Sequence, residues 1–129
     1  MTSADGRVVS SMTTETTTAV LDVRTYRLVN DGRAELDRLF RERSLPMLRR
    51  YGIEVVAYGP SLVDDYYCLI RAFTSSAQRA QQLNAFYGSQ EWVREHQDAV
   101  MALMEDYQVA AIPLTVGNRN GLARTATMV

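Results

Sequence analysis

Asp22, Arg24 and Tyr26 alternate along "VLDVRTYRL", residues 20 to 28. Side chains of a strand repeat with period two, so these three share one face, while Leu21, Val23, Thr25 and Arg27 share the other. Val20 and Leu28 bracket the polar three on their own face, which makes it mixed rather than wet. Such a face suits a pocket wall or a polar patch within an interface. A carboxylate beside an arginine in a partly buried site forms a charge-assisted pair, and its pKa falls. The pair would then be either a structural ion pair fixing register or a subunit contact, or part of a site. In the second case Arg24 orients an anionic or enolate oxygen and Tyr26 donates a proton.

His96 is the only histidine. It follows Trp92 by four residues, so both project from one helical face, the face turned toward the sheet. A hydrogen-bonded core histidine is one reading; a base poised near neutral pH is the other. Tyr58, Tyr66, Tyr67 and Tyr107 form an aromatic group that either packs the sheet or lines a cavity for a planar hydrophobic ligand. Cys68, mid-strand among apolar neighbours, reads as inert core.

Composition narrows the classes. The 129 residues fit one domain, and 14 basic against 15 acidic residues favour neither nucleic acid nor an anionic membrane as partner. Every basic residue is Arg, a bias that suggests a GC-rich bacterial genome. Without lysine, Schiff-base chemistry is excluded. A single cysteine allows neither an internal disulfide nor a thiolate cluster. One histidine with scattered carboxylates lacks metal-ligand spacing, and no phosphate loop or Ser-His-Asp pattern occurs. No window reaches 18 apolar residues and the Thr-rich N-terminus is unlike a signal peptide, so the expected place is the cytoplasm.

Residues 1–18 read as a flexible arm, within which Met12 would serve as a start, and residues 117–129 as a flexible tail. Between them lies one domain, 19–116. After the first strand, Asn30, Asp31 and Gly32 supply turn and cap chemistry. The helix that follows carries Leu36, Leu39, Phe40, Leu48 and Tyr51 on one stripe; Gly52 stops it, and Pro46 predicts a kink near Arg43 and Ser44. "IEVVAYGPSLV" reads as a strand with a bulge or edge at Gly59-Pro60. "YYCLIRAF" is a strand covered on both faces. Ser75 and Gln78 form a capping box for a helix through Ala80, Leu83 and Phe86. Gly88-Ser89 breaks it, a further helix carries Trp92, His96, Ala99, Val100 and Leu103, and "YQVAAIPLTV" closes the chain as a strand. The order β-α-β-β-α-α-β predicts an α+β fold, a ferredoxin-like antiparallel sheet with helices on one face. Strands one and three would be neighbours, bringing Arg71 near Arg24. Apolar residues point both ways from the strands, so a second copy is expected on the open face, giving a homodimer.

"LDVRTYRL", "LPMLRRYG", "LIRAF", "AQRAQQLNAFYGSQEW" and the closing strand resemble the NIPSNAP family over about residues 20 to 115. The most specific marks are Arg-Thr-Tyr in the first strand, the helix of Arg79, and Glu91-Trp92. One departure is Asp22, where that family usually has the longer Glu. The resemblance implies the dimeric α+β barrel fold. Wider relatives include cofactor-free monooxygenases and cyclases of aromatic polyketides and heme-degrading enzymes, while other members act by binding.

Two functions are therefore expected to compete. One is an enzyme without metal or organic cofactor that performs cyclisation, isomerisation or oxygenation of an aromatic or polyketide-like substrate in bacterial secondary metabolism. His96 would be its base, Arg24 and Arg71 anion stabilisers, and Tyr26 or Tyr67 the donor; Asp22, Tyr58, Tyr67 and Trp92 would contact substrate. The other is a non-catalytic binding or scaffold dimer. The enzyme requires a cavity of ~300 Å³ or more that reaches His96; a scaffold fills that space with side chains.

Overall fold

The computed structural model describes residues 19–114. The expected arm and tail lie outside the described residues. Four strands, β1 (Val20–Leu28), β2 (Glu54–Pro60), β3 (Tyr66–Phe73) and β4 (Met104–Pro113), form one antiparallel sheet in the order β2-β3-β1-β4. This is the ferredoxin-like arrangement, with all helices on one face. β4 begins three residues earlier than the apolar run "YQVAAIPLTV" suggests, because Asp106 and Met104 still pair with Arg27 and Leu28 at the end of β1, with Glu105 left over at the register shift between them. In β2 the irregularity falls between Val55 and Ala57 rather than at Gly59-Pro60; Gly59 and Pro60 stay in register with Cys68 and Tyr67. Proline is tolerated there because β2 is an edge strand.

The first helical segment is continuous in direction but not in type. α1 (Arg33–Leu39) leads into a π-helical turn (Phe40–Ser44), then α2 (Leu45–Arg50). The widening is where Pro46 demands it. Pro46 donates no backbone hydrogen bond, and its ring crowds the carbonyl four residues back, at Glu42. The ladder opens to a five-residue spacing, with the Leu45 N–H bonded to the Phe40 carbonyl. Gly52, at φ +73°, supplies the left-handed residue that ends α2. At the start of α1, Gly32 occupies the cap position and no side chain caps the helix, so the Asn30-Asp31-Gly32 signal is a turn rather than a side-chain cap.

α3 (Ser76–Tyr87) starts at the expected box: Ser75 Oγ accepts from the Gln78 N–H at 2.9 Å, and the Gln78 side chain accepts from the Thr74 N–H. The helix after Ser89 is not one but two, α4 (Gln90–Glu95) and α5 (Gln97–Met101), broken at His96, whose φ is −135°. Trp92, His96 and Val100 are buried from these helices, but Ala99 is exposed.

The core lies between helices and sheet. Leu36, Phe40, Leu45, Met47 and Leu48 from α1–α2 meet Leu28, Tyr67, Leu69 and Phe73 from the sheet, and Leu83, Phe86, Trp92 and Val100 close the other side. Leu48 is 1% exposed, whereas Leu62, in the β2–β3 connection, is 97% exposed. Leu48→Ala should therefore cost ~2–5 kcal/mol in urea unfolding, and Leu62→Ala should stay within about 0.5 kcal/mol.

Candidate functional site

The β1–β3 register sets the site. Asp22 lies directly opposite Arg71, and Tyr26 opposite Tyr67 on one side and Tyr107 on the other. The mixed face of β1 thus turns toward the helices. Asp22 and Arg71 are both 0% exposed. Asp22 Oδ1 accepts from Arg24 Nε at 3.3 Å and from Arg71 Nη2 at 3.3 Å, and Oδ2 accepts from Arg79 Nε, on α3, at 2.7 Å. Burial alone would raise the Asp22 pKa, but Arg71, Arg79 and Arg24 together outweigh it and hold the carboxyl below its usual range.

One carboxylate answers three guanidinium groups. Arg71 also donates to the Tyr87 hydroxyl at 3.1 Å, and both Arg24 and Arg71 lie over the Tyr87 ring, at 5.3 and 5.8 Å. Nothing in the spacing of β1 reveals Arg79 or Tyr87. The spacing of α3 does: Arg79, Leu83 and Tyr87 recur every four residues on the helix face that buries Leu83.

Beside this cluster is a cavity of about 640 Å³ between sheet and helices. Arg24, Tyr26, Arg79 and Tyr87 line it together with Leu36, Phe40, Leu48, Leu83, Phe86, Trp92 and Val100, and with the hydroxyl-bearing Ser44, Tyr67 and Tyr107. Tyr67 Oη donates to Asp37 Oδ1 at 2.8 Å, so its proton is already engaged. Burial, and then that bond to Asp37, push its pKa upward. Burial and the nearby Tyr87 raise Tyr26 likewise, so it remains a phenol at neutral pH. No described residue accepts the Tyr26 proton.

Several expected members are not on the cavity wall. Asp22 and Arg71 lie beneath it, where Asp22 holds Arg24 and Arg79. Tyr58 is elsewhere: its ring packs on the outer side of Phe40 at 4.8 Å and is partly exposed. His96 is 2% exposed and also stands behind the wall. Its ring meets Trp92 edge-on at 5.1 Å, and its Nε2 is 2.5 Å from Ser44 Oγ. On the far side it borders a separate shallow groove lined by Arg43, Met47, Arg50 and Glu91. The cavity meets the size expected of an enzyme, but it reaches Ser44 rather than the imidazole.

The π-helical turn is what aims Ser44 at the wall, and the break between α4 and α5 is what brings His96 behind it. Nδ1 of His96 is buried without a hydrogen-bond partner. Burial, then the Arg43 charge, lower the His96 pKa, so the ring is neutral at pH 7. Among the described residues no three His, Cys, Asp or Glu side chains come together as a metal site would require.

These shifts predict acid lability in two stages. A histidine whose folded pKa is depressed contributes full stability above its unfolded value of 6.5, and that stability is lost as pH falls below it. Asp22, also depressed, contributes above 3.8 and fails below it. His96→Gln should flatten the fall of urea-unfolding stability just below pH 6.5 and leave the fall below pH 4 intact. Asp22→Asn, which strands three buried or half-buried arginines, should cost ~3–5 kcal/mol at pH 7.

No protein-family model matches the chain, and no curated protein does. Solved structures do. A NIPSNAP-like domain protein from Burkholderia xenovorans superposes with a TM-score of 0.71 at 15% identity, covering 77% of this chain and 88% of its own. A NIPSNAP family protein from Agrobacterium tumefaciens gives 0.69 at 16%, covering 78% and 89%. SnoaB, a cofactor-independent oxygenase from Streptomyces nogalater, gives 0.57 at 17%, covering 74% and 92%. The chain therefore has the α+β fold of the NIPSNAP proteins, shared more distantly with a cofactor-independent oxygenase.

Proposed function

We propose that this protein is a small-molecule enzyme that uses neither metal nor organic cofactor and acts on a hydrophobic, aromatic or polyketide-like substrate by proton transfer. The observation that carries this reading is a cavity with apolar walls into which two arginines and a free phenol converge. The likeness to SnoaB, a cofactor-independent oxygenase, supports it at the level of fold. Removal of a proton next to a carbonyl is the step common to cyclisation, isomerisation and cofactor-free oxygenation. Arg24 stabilises the oxyanion that forms, with Arg79 beside it. Tyr26 returns a proton. Trp92 and Phe86 hold the rings of the substrate.

His96 acts in this scheme through Ser44. As the Ser44 hydroxyl takes the substrate proton, its own proton passes to the neutral Nε2 of His96. Arg71 and Asp22 do not touch the substrate; they fix the planes of the arginines that do. A second copy of the chain covers the open face of the sheet, where Leu21, Val23, Ile70 and Ile112 present side chains away from the helices. The scaffold alternative has no comparable support, because a scaffold would fill the cavity.

Aromatic ketones and polyketide-like phenols should quench or shift the fluorescence of Trp92, the only tryptophan, and one of them should turn over. Arg24→Gln and Tyr26→Phe should then lower kcat by ~10²–10⁴-fold with folding preserved. Ser44→Ala and His96→Gln should each lower it, and their combination should lower it no further. Full activity in Ser44→Ala removes the relay. Ile70→Arg should convert a dimer into a monomer by light scattering; a wild-type monomer at micromolar concentration refutes the pairing.

A further inference from the structure

We infer that the cavity takes a ligand that is an anion before any chemistry begins: a carboxylate carried on a hydrophobic, ring-sized body. This rests on the reading of the cavity as the ligand site, and adds the charge of the ligand to it. A neutral ketone needs one donor for its oxygen, developing charge only in the reaction. The wall supplies much more than that.

Asp22 neutralises one of three guanidinium groups, leaving two positive charges over in a largely buried cluster. Arg71 is wholly enclosed and spends its terminal nitrogens on Asp22 and Tyr87. Arg24 and Arg79 behave differently. Each meets Asp22 through Nε alone, so both terminal amino groups of each have no hydrogen-bond partner among the described residues. Both residues line the cavity. Side chains 14% and 26% exposed are only partly hydrated, and charge kept from water without a counter-charge is costly.

A carboxylate fits what is left. Its two oxygens accept several N–H donors at once, and they match a planar guanidinium edge, which the single oxygen of a neutral carbonyl does not. The Tyr87 ring beneath Arg24 and the Nε bond to Asp22 hold that edge in place before the ligand arrives, so little ordering is needed on binding. The rest of the wall is apolar and aromatic, and about 640 Å³ is ample for a fused two-ring body.

The test compares 2-naphthoate with 2-naphthamide, near-isosteres that differ in charge, by calorimetry at pH 7 with the full chain. Naphthoate should bind at least ~10-fold more tightly, as a charge-assisted contact requires. Arg24→Gln should weaken naphthoate by about 10-fold and leave naphthamide within about 3-fold; Arg79→Gln, at a half-exposed helix position, repeats the test if Arg24→Gln folds poorly. Arg94→Gln, exposed on α4, should change neither. Equal affinity for the two probes overturns the anionic ligand while leaving the cavity as a binding site. Failure of both to bind at millimolar concentration overturns the cavity reading as well.

Discussion

Asp22 is the residue on which the rest of the arrangement depends. Among the described residues its carboxylate is the only one inside a cluster drawn from two strands and a helix, and it joins Arg71 across the β1–β3 ladder to Arg79 on α3. Removing it would leave like charges facing one another under an apolar roof. Keeping it short has a further effect. An aspartate cannot extend past the arginines into the cavity, so the cations, and not the anion, form the wall. The site is positive because its one negative group is spent behind it.

Much of this was legible from period alone. The strand of residues 20–28, the mixed face of Asp22, Arg24 and Tyr26, the capping pair Ser75 and Gln78, and the sheet order follow from alternation, caps and short connections. What period could not convey was depth. Arg24 and Asp22 lie on the same face, two residues apart, yet one lines the cavity and the other is sealed beneath it. That difference depends on how α3 lands on the sheet, which is a tertiary fact. His96 shows the same limit. Helical spacing from Trp92 put it on the inward side correctly, but the chain breaks at His96 itself, and the ring turns toward Ser44 instead of the space in front of Trp92.

The division between a wall and what stands behind it is chemically useful. Arg24, Arg79 and Tyr26 line the cavity, while Asp22, Arg71 and His96 are buried behind that lining. The imidazole of His96 is buried and held neutral, with Nε2 against the Ser44 hydroxyl and Nδ1 without a hydrogen-bond partner. The separate groove on its far side, lined by Arg43 and Glu91, lies next to the same ring. Ser44 and His96 thus form a thin polar bridge through an otherwise apolar helical layer.

The π-helical turn solves a problem of angle. An α-helix advances about 100° per residue, so Leu48, twelve residues after Leu36, would sit about 120° around the axis from it. Leu36 and Leu48 nevertheless both face the core. The turn from Phe40 to Ser44 absorbs roughly one extra residue, setting the rotation back by about 100° and returning the two leucines to nearly one azimuth. The segment therefore acts as a phase correction. Deleting one residue within it would heal the helix and keep the two leucines in phase, about 20° apart at eleven residues; closing the turn to a regular α-helix without a deletion would instead swing everything beyond it by about 100° and carry Leu48 away from the core.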